Sequence, residues 1–304
     1  MKRLLSLLLI CTPVICQQKS YMELLPREIQ LEAVKYAIGN TLEEALRSIE
    51  KYYASTPSAK NDVGITKSII IHLMQKFNFT TGKELQEAID TLNKKESLPV
   101  FKNEQMKKWI GEQKKRLFYE NELRDAVRDE NVKKVKELIA KGVNVNLKHH
   151  SGDTLLMRAI SDSYAPRRAK KEVMFEIVSA LIAAGANVNA TGEYGSTALS
   201  SAIIELRPDI LELLLKNNAD PNIPSQFKVT PLMKAINRFM SEGFPGDRPT
   251  SKKIIELLLN YKADPNAIDS KGRTLKQQIT EPLWVSDEQK SELIELLRKY
   301  GLKE

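Results

Sequence analysis

The sequence predicts an all-α protein in which a small helical N-terminal domain precedes a stack of helix pairs. Three observations carry this. Apolar residues recur at three- and four-residue spacing with no alternating strand pattern. Serine, threonine or asparagine stands before many of these runs, where a helix needs a capping side chain. One unit, legible in residues 195–222, returns along the second half of the chain.

The opening residues read as a secretory signal peptide over residues 1–16. Lys2 and Arg3 supply the basic start, Leu4 to Ile10 an apolar core too short to span a bilayer comfortably, and Gln17 and Gln18 the polar continuation. Val14 and Cys16 are the small residues before the cut. Cys11 and Cys16 are the only cysteines of the 304 residues, so cleavage after Cys16 leaves no thiol chemistry. Lipid attachment at Cys11 or Cys16 is disfavoured by the bulky Ile10 and Ile15 that precede them. The protein is therefore expected to be exported, with no stable membrane span once the signal is removed.

Residues 17–119 form the N-terminal domain. Asn40 with Glu43 and Thr81 with Glu84 fit capping boxes, and Ile29, Ala33, Val34 and Ala37, then Ile69, Ile70, Leu73 and Phe77, fall on helical faces. Residues 55–63, with Pro57, read as a loop. Leu24, Leu25, Pro26, Glu28 and Ile29 resemble the start of an F-box, which would dock a ubiquitin-ligase adaptor. The apolar run ending near a tryptophan that should follow is absent, and Pro26 as a first-turn residue with Leu25 as a staple accounts for the same residues. Residues 102–122 read as a charged helix whose Met106, Trp109, Ile110 and Leu117 cover the open side of the first repeat.

Residues 120–304 hold the repeats. In 195–222, Thr197 caps a first helix that buries Leu199 and the small Ala202. Pro208 opens a second helix expected to bury Ile210, Leu211, Leu213 and Leu214, and Asn218 ends it in the left-handed conformation. The same grammar appears around Thr154, Thr230 and Thr274, and in reduced form around Leu123 and Ala126. Asn189 and Asn222 are 33 positions apart, whereas Asn146 to Asn189 spans 43 and Asn222 to Asn266 spans 44. The longer spacings are one period plus insertions near residues 161–172 and 241–253, between the helices of the second and fourth units.

A period of about 33 residues, with Thr-Pro-Leu at 230–232 opening a unit and Gly-Ala-x-x-Asn at 185–189 closing one, resembles the ankyrin repeat. The resemblance covers about five repeats from residue 120 onward. The histidine that follows Thr-Pro-Leu in that family is replaced by Met157, Ser200 and Met233, so its hydrogen bond is missing and a loss of stability is expected. Lys276 and Ile279 depart from the pattern in the last copy, which reads as a capping repeat that frays first. Signal-bearing chains of this family resemble those that intracellular bacteria send toward their hosts.

Chemistry is scarce. No nucleotide, hydrolase or metalloprotease fingerprint occurs; His72 stands alone, and His149 with His150 sits in a loop tip. Two glycosylation sequons begin at Asn78 and Asn189. The net charge of +8 falls to +6 without Lys2 and Arg3, and the clusters at residues 114–116 and 167–171 lack interleaved aromatics, which argues against nucleic-acid binding. The reading is a non-enzymatic scaffold, without cofactor or metal, that binds another protein; the alternative is an F-box-like substrate adaptor acting in a host cell. The resemblance implies that the partner meets the loop tips and the exposed side of the first helices. Those positions are His150 and Asp153; Glu193, Tyr194 and Ser196; Gln226, Phe227, Asn237 and Arg238; and Lys271 and Arg273. Tyr194 and Phe227 are the expected anchors, since aromatics dominate interface energetics.

Overall fold

The computed structural model describes residues 41–77, 79, 81–96, 98–149, 151–161, 171–241, 248–283 and 285–303. The signal segment, the F-box-like segment, the helical face from Ile29 to Ala37, Asn40 and His150 lie outside them. The described residues are mostly helical, with no strand and only two isolated bridges, Lys148 with Thr154 and Ile268 with Thr274. The chain divides into two compact units, residues 1–121 and 122–304.

In the first unit, helix α1 (Leu42–Ser55) begins at Thr41, whose hydroxyl accepts from the Glu44 amide while Glu44 returns a carboxylate to the Thr41 amide. The capping box is thus shifted one residue from Asn40 and Glu43. Threonine one step later still leaves the acidic residue three positions on, so both readings satisfied the pattern. Helix α2 (Val63–Lys76) is capped by Asp62, and α3 (Gly82–Glu96) follows the expected box of Thr81 and Glu84. Residues between α1 and α2 are not merely a loop, because Pro57–Asn61 makes a 3-10 turn. Ile49, Tyr53, Ile69, Leu73, Leu85 and Leu92 fill one core, in which the Tyr53 and Thr66 hydroxyls pair at 2.8 Å.

Helix α4 (Glu104–Arg128) runs without a break from the first unit into the second. Its Met106, Ile110 and Leu117 belong to the first unit's core, not to a cover for the repeats as expected. Its last turns bring Leu123, Ala126 and Val127 into the second unit, where they stand as the first helix of the first pair.

The second unit continues as α5 (Val132–Ala140), α6 (Leu155–Ile160), α7 (Lys171–Ala183), α8 (Ala198–Ile204), α9 (Pro208–Lys216), α10 (Pro231–Met240), α11 (Arg248–Asn260), α12 (Leu275–Thr280) and α13 (Asp287–Lys299). Thr154, Thr197, Thr230 and Thr274 each cap a first helix, accepting from the amide three residues on. Helix α9 opens on Pro208, where the missing amide proton costs nothing, and buries Ile210, Leu211, Leu214 and Leu215. Leu215 therefore takes the place expected for Leu213. The fourth-unit insertion is not all loop: α11 starts at Arg248 and is 13 residues long where α9 has nine. Pro249 is tolerated there because it falls in the first turn.

Arg207, 3% exposed, fastens the second pair to the third. Its guanidinium forks onto Asp209 at 2.9 and 2.6 Å and donates to the Lys171 carbonyl at 2.8 Å, at the point where the chain returns from the second-unit insertion.

Asparagine side chains join successive pairs. Asn146 Nδ2 donates to the Gly185 carbonyl and its Oδ1 accepts from the Asn187 amide, at 3.1 and 2.7 Å. Asn189 repeats this with Asn218 and Asp220, Asn222 with Lys262 and Asp264, and Asn266 with Gly301 and Lys303. Replacing Asn222 with Ala should cost about 1–3 kcal/mol, two net hydrogen bonds at about 1 kcal/mol each. Denaturant unfolding will measure it against Asn217→Ala, which removes only a bond within one helix end, to the Leu213 carbonyl. An Asn222→Ala loss no larger than that of Asn217→Ala would mean that the asparagines do not couple the pairs.

Candidate functional site

The loop tips share one frame, counted back from the capping threonine, and three of them share one bonding pattern. Before Thr197, Tyr194 is also left-handed (φ 55°) and the Ser196 amide donates to the Glu193 carbonyl. Two residues before each threonine stands a left-handed residue: Gly152 (φ 79°), Gly195 (φ 73°), Lys228 (φ 53°) and Gly272 (φ 75°). Five before it, a residue accepts from that left-handed amide and donates to the carbonyl just before the threonine. The bonds are His149 with Gly152 and Asp153, Ser225 with Lys228 and Val229, and Asp269 with Gly272 and Arg273. Three before it stand Ser151, Tyr194, Phe227 and Lys271.

Neighbouring tips touch through backbone. The Gln226 amide donates to the Tyr194 carbonyl at 2.8 Å, and the Ser270 amide to the Phe227 carbonyl at 3.2 Å. Gly195 permits this approach, since a Cβ there would meet the Gln226 nitrogen at 2.9 Å. Because their carbonyls do the joining, the Tyr194 and Phe227 rings are left 64% and 62% exposed; neither folds onto its own pair. Glu193, Gln226 and Lys271 are also exposed.

Asp153, Ser196 and Arg273 are held within the tips. The Ser196 hydroxyl donates to Asp153 Oδ1 at 3.2 Å, and Ser151 donates to Oδ2 at 3.0 Å. Asp269, 6% exposed, accepts the Lys271 and Arg273 amides at 2.8 and 2.9 Å and the Arg273 guanidinium at 2.8 Å. The Arg273 amide, reinforced by its guanidinium, holds the Asp269 carboxyl below the usual range.

Along the first helices, α8 and α10 bound a groove of about 250 Å³ lined by Ile203, Ile204, Lys234, Asn237, Arg238 and Ser241. Another of about 470 Å³, between α10 and α12, adds Arg273, Gln278 and Glu281 to Asn237. The structure thus joins Asn237, Arg238 and Arg273 to one face and sets Glu193, Tyr194, Gln226, Phe227 and Lys271 along the tips. Sequence reasoning missed Ile204 and Lys234. The signal for Ile204 was its place seven residues after Thr197, matching Asn237 after Thr230, with an isoleucine in an exposed register.

His149 Nδ1 lies 3.4 Å from the Ser151 amide, and no group of three or more metal-ligating side chains occurs among the described residues. Nor is any helix among them long and apolar enough to cross a membrane.

Residues 123–225 match the family model for ankyrin repeats, in three copies. No curated protein matches the chain. The match covers the first three helix pairs, and the asparagine bridges and capping threonines continue through two more. An ankyrin-repeat solenoid therefore follows the helical N-terminal region in the chain. Arrays of this kind are protein-interaction scaffolds.

A carboxylate whose pKa is lowered on folding adds stability above its unfolded value, near 3.9, and loses it as pH falls through the folded value. Asp269→Asn should therefore lower the melting temperature at pH 7 and make a progressively smaller difference toward pH 3. Melting curves at both pH values test this; a difference that does not change with pH would show that the charge on Asp269 is immaterial.

Proposed function

We propose that this chain is an exported, non-catalytic scaffold that holds a partner protein on the tips and first-helix face of its ankyrin array. The observation that carries the reading is the pair of rings at Tyr194 and Phe227. Each stands at the same tip position of successive repeats, and each is exposed while its backbone is tied down. Large side chains presented from fixed backbone lose little conformational freedom on binding, which is what interface anchors require.

No cofactor or nucleic acid is invoked. Export is the reading of the basic start and apolar run at residues 1–16. N-terminal sequencing of protein recovered outside the producing cell should begin at Gln17. A start at Met1, or acylation of Cys11 or Cys16, would overturn the export reading.

Mutating Tyr194 and Phe227 together to Ala should weaken capture of the partner by at least about tenfold, or roughly 1.4 kcal/mol, with the melting temperature nearly unchanged. The partner is first isolated by pull-down with the full chain, then titrated against both proteins by calorimetry. Unaltered affinity, or a large fall in stability instead, would move the binding surface elsewhere.

A further inference from the structure

The groove between α8 and α10 carries a cation, Lys234, with no counter-charge among the described residues. Lys234 lies four residues into the helix capped by Thr230 and is half-buried. Among the described residues it forms no ion pair, and burial alone, with no carboxylate contributing, holds its ammonium below the usual lysine range. Of the other half-buried lysines of the second unit, Lys134 lies against Glu122 and Glu137, Lys252 against Glu292 and Lys290 against Asp287, while Lys276, outside this groove, likewise forms no ion pair among the described residues. Beside Lys234 the groove presents the Arg238 side chain, the Asn237 amide and the apolar Ile203 and Ile204, the last 54% exposed.

A desolvated ammonium with an open side recovers its lost hydration by taking an anion, and the attraction is stronger there than in water. At about 250 Å³ the groove has room for little more than one side chain and a neighbouring polar group. Lys228 and Lys271, exposed on the adjoining tips and without ion pairs among the described residues, extend the positive field past Phe227. Two acidic residues adjoin the groove's lining in sequence, Glu205 after Ile204 and Glu242 after Ser241; Glu205 accepts from Ser161.

Building on the protein-binding reading above, we propose that the segment of the partner seated here is an acidic peptide. It places an aliphatic side chain against Ile203 and Ile204 and a neighbouring carboxylate on Lys234 and Arg238. Isoleucine walls accept an aliphatic residue, whereas bound single-stranded nucleic acid would need aromatic platforms for its bases.

The test uses the full chain as bait for a phage-displayed library of random 12-residue peptides. Selected peptides are then synthesised and measured by fluorescence anisotropy. They should carry Asp or Glu within two positions of Leu, Ile or Val. Lys234→Gln should weaken them at least about tenfold, Lys234→Arg should retain most of the binding, and Lys253→Gln, on an exposed second-helix position, should change nothing. Thermal melting of each variant keeps loss of fold separate from loss of binding.

Neutral or basic selected peptides, acidic peptides indifferent to Lys234→Gln, or no selected peptide at all would overturn the proposal. So would a 16-nucleotide single-stranded DNA that binds as tightly as the peptides and competes with them. If such a failure comes with a captured partner that still needs Tyr194 and Phe227, the scaffold reading stands and only the acidic-peptide assignment falls. If the double Ala variant also captures the partner unchanged, both fall.

Discussion

Everything in the repeat unit depends on one bidentate contact, the asparagine side chain that closes each loop on the end of the following helix pair. A helix end leaves carbonyls without intrahelical partners, and at these exposed loops the asparagine takes the place that water would otherwise fill. Each asparagine supplies a donor to one such carbonyl and takes the amide two residues later. The carbonyl it reaches belongs each time to a left-handed residue: Gly185, Asn218, Lys262 or Gly301. The constraint therefore runs backward into the sequence, asking for Gly or Asn there, and Lys262 accepts the backbone strain where neither is present. It also fixes what Asn189 can be. Both of its amide atoms are engaged, so the sequon at 189–191 competes with the contact that holds two repeats together.

Spacing fixed at the loops is passed on to the tips. Since the tips join through the carbonyls of Tyr194 and Phe227, the side chains at those positions are not what joins the tips, although the left-handed backbone at Tyr194 (φ 55°) still limits which residues fit there. Asp153, Ser196 and Arg273 are the reverse: Ser196 binds Asp153 of the neighbouring tip and Arg273 binds Asp269 of its own, so substitution there would disturb the platform itself. Within the set of residues expected to meet a partner, the geometry thus separates those that present from those that hold.

Much of this was legible because it is local. Thr197, Pro208 and Asn218 each act within one turn of chain, and they cap, open and close their helices as read. What was hidden depends on neighbours. Nothing in residues 102–128 says that one helix serves two cores, since Leu117 and Leu123 carry the same apolar signal and differ only in what lies across from them. The choice of Leu215 over Leu213 is set by how α9 rotates against its surroundings, which a run of three leucines cannot encode. Lys234 looked like any helical lysine. Its burial comes from the opposite wall of the groove, contributed by a helix about thirty residues earlier.

The substitutions at the histidine position show how a lost inter-repeat bond is accommodated. Where the family's histidine would reach between repeats, Ser200 instead closes on its own threonine, its hydroxyl accepting the Thr197 amide at 2.9 Å. Gln277 does the same for Thr274 at 2.8 Å, and the softer Met233 sulfur stands 3.5 Å from the Thr230 amide. The amide is satisfied within the repeat, so coupling between repeats passes to the apolar core and the asparagines. This bears directly on the last pair, whose sequence departs furthest from the pattern. Ile279, larger than the small residue the pattern wants, is fully buried beside Leu275, and Asn266 still clamps the Gly301 carbonyl and the Lys303 amide. Divergence in α12 has changed how the end of the stack is filled. The contact that fastens it is the same one used between every earlier pair.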